Sequence, residues 1–173
     1  MGLCNTECVE RIAQYLDVSP GRLEVSHKNV ASTREREGGA QPVQGFCTIV
    51  QDLARTSEYP DILGSEREVQ ALTQQWLEYA IVCANYADLS QNTKRILSEL
   101  NTSLTHVPYI AGTEKTIADV TLYYVLHPVM KTLSQPEKAR YIHVSRWFDN
   151  IQQEDKLRRE LDLISFNLLH LFL

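Results

Sequence analysis

The stretch Thr116-Ile117-Ala118-Asp119 constrains this chain more than any other. A helix leaves its first backbone N–H groups without intrahelical acceptors, and a buried helix cannot hand them to water. A threonine at the N-cap accepts one of them, and an acid three residues on reaches back to the threonine N–H. The residues that follow, Val120, Tyr123, Tyr124 and Leu126, predict a core helix entered through that box. Pro128 is expected to bend or end it, because proline lacks the N–H and crowds the preceding turn. Lys115 stands where an apolar residue ordinarily staples the helix entry.

The pattern around this helix has two parts. Cys8, Val9, Ile12, Ala13 and Leu16 mark one face of an amphipathic helix, which Ser19-Pro20-Gly21 stops. Leu23 and Val25 alternate with polar neighbours, a short strand signal within 22–29. The charges of 34–37 suit an exposed edge strand, Gly38-Gly39 a turn, and 41–44 at most a stub of strand. Helical spacing returns after Gly45 at Phe46, Ile49, Val50 and Leu53.

Beyond a linker at Tyr59-Pro60-Asp61 the pattern is helical throughout. Val69, Leu72, Trp76, Ala80 and Cys83 predict a core-facing stripe. Leu77 and Ile81 fall on another face of that helix, beside Gln70 and Gln74. A further helix runs from Thr93 to Leu104, and Pro136 suits the first turn of a short one. Val144, Trp147, Phe148 and Ile151 give a final apolar face, and 161–173 reads as a closing core segment.

Composition removes several function classes. With 173 residues, 43% of them hydrophobic, the chain can bury one core or two small lobes sharing one. Seventeen basic against 22 acidic residues, net −5, with no clustered basic face, argues against direct nucleic-acid binding. No apolar run is long enough to span a bilayer, and the start lacks the basic and apolar regions of a secretory signal. Cys4, Cys8, Cys47 and Cys83 have no disulfide rhythm and are expected as reduced thiols in the cytosol. Residues 1–6 also fit the N-myristoylation pattern, with Cys4 open to a second acyl chain, but the pattern is permissive and the start is read as an ordinary one.

Four stretches narrow the reading. They are Ile62-Leu63-Gly64-Ser65, the run Gln74-Gln75-Trp76-Leu77-Glu78-Tyr79, the capping box with its helix through Tyr124, and Val144-Ser145-Arg146-Trp147-Phe148. Together they resemble the glutathione-transferase superfamily. Within it they are similar to the smallest accessory-subunit family of the multi-aminoacyl-tRNA synthetase complex, the epsilon-type relatives of elongation factor 1. The likeness runs from about residue 59 to about residue 153 and is weak before that, with 30–44 fitting poorly. It implies an α+β, mainly helical fold: a reduced thioredoxin-like N-terminal lobe at 1–60 and an all-α glutathione-transferase-like C-terminal domain at 61–173.

The chemistry of a working transferase is not found in these residues. The first helix begins too early for a leading strand carrying a thiolate-stabilising Tyr, Ser or Cys. No proline occurs in 31–37, and Pro42 comes too late for the loop that pairs with the glutathione backbone. Gln44-Gly45-Phe46 lacks the acid and serine that would hold the γ-glutamyl end at a helix N-terminus. His27, His106, His127, His143 and His170 are too dispersed for a metal site, and there is no phosphate loop or nucleophile elbow. Asp119 is expected as a cap. No catalytic, cofactor-binding or metal residue is assigned.

What remains is surface. The aromatics of 144–148 take the core face and turn Arg146 outward near a helix start. A cation gains nothing from that positive helix end, so a partner's carboxylate or carbonyl better explains it. The resemblance implies docking of Arg146 against glutamyl-prolyl-tRNA synthetase, and a glutathione-transferase-type heterodimer with methionyl-tRNA synthetase. Gln70, Gln74, Leu77 and Ile81 are chosen for the second face. The expectation is a non-catalytic scaffold in the cytoplasm, with the resemblance implying a nuclear presence as well. Two rival readings share the fold: a glutathione-dependent transferase, and an elongation-factor docking module.

Overall fold

The computed structural model describes residues 2–26, 29–36 and 39–167. Helix α1 (Thr6–Tyr15) leads into strands β1 (Arg22–Ser26), β2 (Asn29–Arg36) and β3 (Gly39–Gln44), then α2 (Phe46–Thr56). A 3₁₀ turn (Pro60–Leu63) connects to α3 (Arg67–Val82), followed by a second 3₁₀ turn (Ala84–Tyr86) and α4 (Ser90–Ser103). The chain closes with α5 (Ile117–Thr132), α6 (Gln135–Arg140), α7 (Ile142–Gln152) and α8 (Asp155–Arg158). It is the mainly helical α+β architecture of the glutathione-transferase type. No helix among the described residues is long and apolar enough to cross a membrane.

The sheet corrects two expectations. Its order is β1-β2-β3, antiparallel throughout, so the strand carrying Arg34, Glu35 and Arg36 is central and not an edge. Successive antiparallel strands with short connections pair as neighbours, which places the middle run inside whatever charges it carries. The expected stub extends over six residues, because β2 supplies a full ladder from Ala31↔Gln44 to Arg36↔Gly39. Pro42 is tolerated opposite Thr33 because β3 lies at the edge, where a missing N–H costs no ladder bond on the open side. Glu37 and Gly38 lie outside the described residues.

Helix α5 is the axis of the core: thirteen of its residues, from Ile117 to Met130, are buried. Its entry is the predicted box. Thr116 Oγ1 accepts from Ala118 N–H at 3.3 Å, and Asp119 Oδ2 accepts from Thr116 N–H at 2.9 Å. Pro128 does not end the helix, which continues to Thr132. Its ring sits at an exposed position on the helix, so it displaces no core packing.

The missing staple is replaced by charge. Lys115 pairs with Glu154 and lies 5.4 Å from the Tyr15 ring centroid, and Tyr15 OH donates to Glu154 at 3.1 Å. One cation thus ties the α5 entry to the end of α1 and the α7–α8 turn.

The described part of the closing segment joins the core only in part, with Leu163 59% exposed. Ile164 is buried and bonds the Gln152 amide both ways, and Phe166 lies 6.0 Å from Phe148. His127 Nε2 bonds the Asp162 carbonyl at 3.0 Å, which fixes this segment against α5. Residues 168–173 lie outside the described residues.

Candidate functional site

Arg146 projects from the first turns of α7 and is exposed, as its spacing predicts. It is not simply solvated. Its Nη2 donates to the carbonyls of Leu104 and Val107, each at 2.8 Å. Leu104 is the C-cap of α4, so the guanidinium occupies the negative end of a neighbouring helix, where a cation is favoured. Considering α7 alone missed this partner.

The start of α7 is satisfied by another residue that sequence reasoning passed over. Asn101 Oδ1, from α4, accepts from the N–H groups of His143 and Val144 at 2.9 and 3.3 Å. An Asn two residues before the end of α4 carries no local signal for capping a distant helix. Arg146, Trp147, Asn150 and residues 105–108 line a surface depression of about 440 Å³. With Nη2 committed to the carbonyls, Nη1 and Nε remain to face a partner.

The same region is pinned from beneath. Trp147 Nε1 donates to Asp119 Oδ1 at 2.8 Å, and Ile110 N–H donates to that oxygen at 2.9 Å. The capping carboxylate therefore also locks α7 and the loop before α5. Burial pushes the Asp119 pKa up, while the bonds donated by Ile110, Thr116 and Trp147 pull it back.

The second face, on α3, divides the residues chosen for it. Gln70 and Gln74 are exposed and Ile81 is half-buried. Leu77 is only 1% exposed and belongs to the core, so its assignment to a partner face is corrected. The predicted core stripe is corrected with it: Thr73, Leu77 and Ala80 face inward, while Leu72 is 41% exposed. Both faces of α3 carry apolar residues, and α5 packs against the one bearing Leu77.

Gln70 Nε2 donates to the Gly64 carbonyl at 3.0 Å, and Gln74 Nε2 to Glu78 at 3.2 Å. Gly64 has φ +118°, and a Cβ there would lie 2.8 Å from the Gln70 backbone nitrogen. Only glycine fits this close approach, which gives the Ile62-Leu63-Gly64-Ser65 motif its physical meaning.

The cysteines are free, and burial is the leading cause of each raised thiol. Cys8 is pushed up to about 12, Cys47 to about 11, and Cys4 further still. Such thiols are poor nucleophiles at neutral pH. Cys4, Cys8 and Cys47 are expected to react slowly with Ellman's reagent in mildly alkaline buffer and promptly in guanidinium chloride; prompt labelling of all three in the folded chain would contradict this burial. No group of three or more His, Cys, Asp or Glu side chains among the described residues is arranged to hold a metal ion.

These surfaces belong to a glutathione-transferase-like protein. A glutathione S-transferase from Pichia kudriavzevii superposes with TM-score 0.71 at 18% identity, covering 90% of this chain and 89% of that one. This likeness shows the fold. Residues 69–155 match the family model described as nuclear-export cofactor Arc1p. Eukaryotic translation elongation factor 1 epsilon-1 of Cricetulus griseus is 38% identical over 122 residues, 70% of each chain. The chain belongs to the elongation factor 1 epsilon-1 family. A cytoplasmic methionine–tRNA ligase of Bos taurus is 27% identical over 116 residues, 56% of this chain and 13% of the ligase.

Proposed function

We propose that this chain is a non-catalytic adaptor of the translation apparatus, which joins aminoacyl-tRNA synthetases through glutathione-transferase-like surfaces. Residues 1–60 and 61–173 form its two lobes. The observation that carries the reading is Arg146: anchored by two backbone carbonyls at one nitrogen, it lines an open depression with its other donors unbonded. An anchored guanidinium loses little further freedom on meeting a carboxylate or carbonyl, so it is a prepared docking group. Glutamyl-prolyl-tRNA synthetase is the partner proposed there. Methionyl-tRNA synthetase is proposed for the α2–α3 face bearing Gln70, Gln74 and Ile81, in a transferase-type heterodimer. The similarity to a segment of a methionine–tRNA ligase supports a place among synthetases. The setting is the cytoplasm, and the nucleus as well.

The test is mass spectrometry of what co-purifies with the tagged full chain and with Arg146→Ala. One synthetase is expected to be lost while another is kept. The melting temperature is expected to fall only about 2–4 °C, because two exposed-edge hydrogen bonds are worth about 1 kcal/mol together. Unchanged synthetase recovery would overturn the Arg146 surface. Retention on immobilised glutathione with turnover of an electrophile would overturn the adaptor reading.

A further inference from the structure

The α2–α3 face contains a groove of about 500 Å³, and three of the polar side chains that line it have no partner among the described residues. Gln51 and Arg55 lie one turn apart on α2 and both line it, so their side chains point the same way. Arg55 is exposed and makes no ion pair or hydrogen bond with a described residue, and the Gln51 amide is likewise unengaged. Thr73, which also lines the groove, is 1% exposed, and its Oγ1 is buried without any hydrogen-bond partner. A threonine within a helix ordinarily bonds back to the preceding turn, and a buried hydroxyl left unpaired is costly.

The macrodipole explains a cation in the last turn of α2. It does not explain an unpaired hydroxyl, an idle amide and an idle guanidinium on residues that line one groove. Asp61 is the acid on the rim, and it forms no ion pair with Arg55.

Resting on the adaptor reading, we infer that this groove receives an aspartate or glutamate side chain of the partner protein. Arg55 and Gln51 grip the carboxylate, and the partner also supplies a hydrogen bond to Thr73. The charge selects the occupant. The guanidinium offers planar, charge-assisted donors, the Gln51 amide adds one beside it, and an apolar side chain would leave all of them and the hydroxyl unpaired.

The experiment measures binding of purified methionyl-tRNA synthetase to the full chain, its Arg55→Glu and Thr73→Val variants, at two salt concentrations. Arg55→Glu is expected to weaken binding by about 30-fold or more and to flatten its salt dependence. Thr73→Val keeps the shape and removes the hydroxyl. It is expected to raise the melting temperature of the free chain while weakening binding about 3- to 10-fold, roughly one hydrogen bond. These opposite signs separate a docking hydroxyl from a packing flaw, which would raise stability alone. Unchanged affinity in either variant, with the wild type binding, overturns this inference and leaves the adaptor reading standing. A wild-type chain that neither binds the synthetase nor co-purifies with it overturns both.

Discussion

Replacing Asp119 by alanine is expected to lower stability by about 4 kcal/mol, and the melting temperature by about 8–16 °C at this chain length. One carboxylate accepts from Ile110 N–H, Thr116 N–H, Thr116 Oγ1 and Trp147 Nε1, at distances between 2.8 and 3.3 Å. Truncation leaves three N–H groups without an acceptor in a region where Thr116 and Asp119 are 0% exposed and Trp147 is 1% exposed. Each such group costs about 1–3 kcal/mol, partly recovered by relaxation and water entry. Asp119→Asn is expected to lie about midway, because its oxygen can still serve Ile110 and Trp147 while its NH₂ opposes the Thr116 donors. Thermal unfolding by circular dichroism reads both; a fall of less than about 3 °C for the alanine variant would refute the network as described. Because Trp147 adjoins Arg146, the alanine variant is also expected to lose the partner bound there.

Leu77→Ala is expected to cost about 2–5 kcal/mol, the range for removing a buried leucine side chain and leaving its cavity. Leu77 sits with Ala80 and Ala84 on the inward side of α3 and the following turn, in the core shared with α5. Gln74→Ala, on the exposed side, is expected to change stability by less than about 0.5 kcal/mol. Chemical denaturation distinguishes the two. A Leu77→Ala chain of unchanged midpoint that no longer bound a synthetase would restore Leu77 to the docking face and contradict the packing.

The helices, their capping and the order of a small α/β part before a helical bundle were legible in the residues themselves. Thr116 and Asp119 act across three residues, and Val144, Trp147, Phe148 and Ile151 across seven, all buried as their spacing predicts. Such signals are local, because the backbone groups they satisfy are neighbours in sequence. The Ser134–Glu137 box at the start of α6 was equally local and could have been found by the same rule.

Tertiary structure decided the rest. Periodicity fixes the angle between side chains around a helix but not the direction from which another helix arrives; hence Leu77 went inward and Leu72 outward. Pairing partners, not composition, made β2 central and β3 a full strand. The carbonyls that hold Arg146, the Asn101 side chain that caps α7 and the indole that shares Asp119 lie between 28 and 43 residues from the groups they serve. The sequence alone determined which elements form, because their hydrogen bonds close within a few residues. The faces and polar groups left for partners were settled only when distant elements had claimed their own.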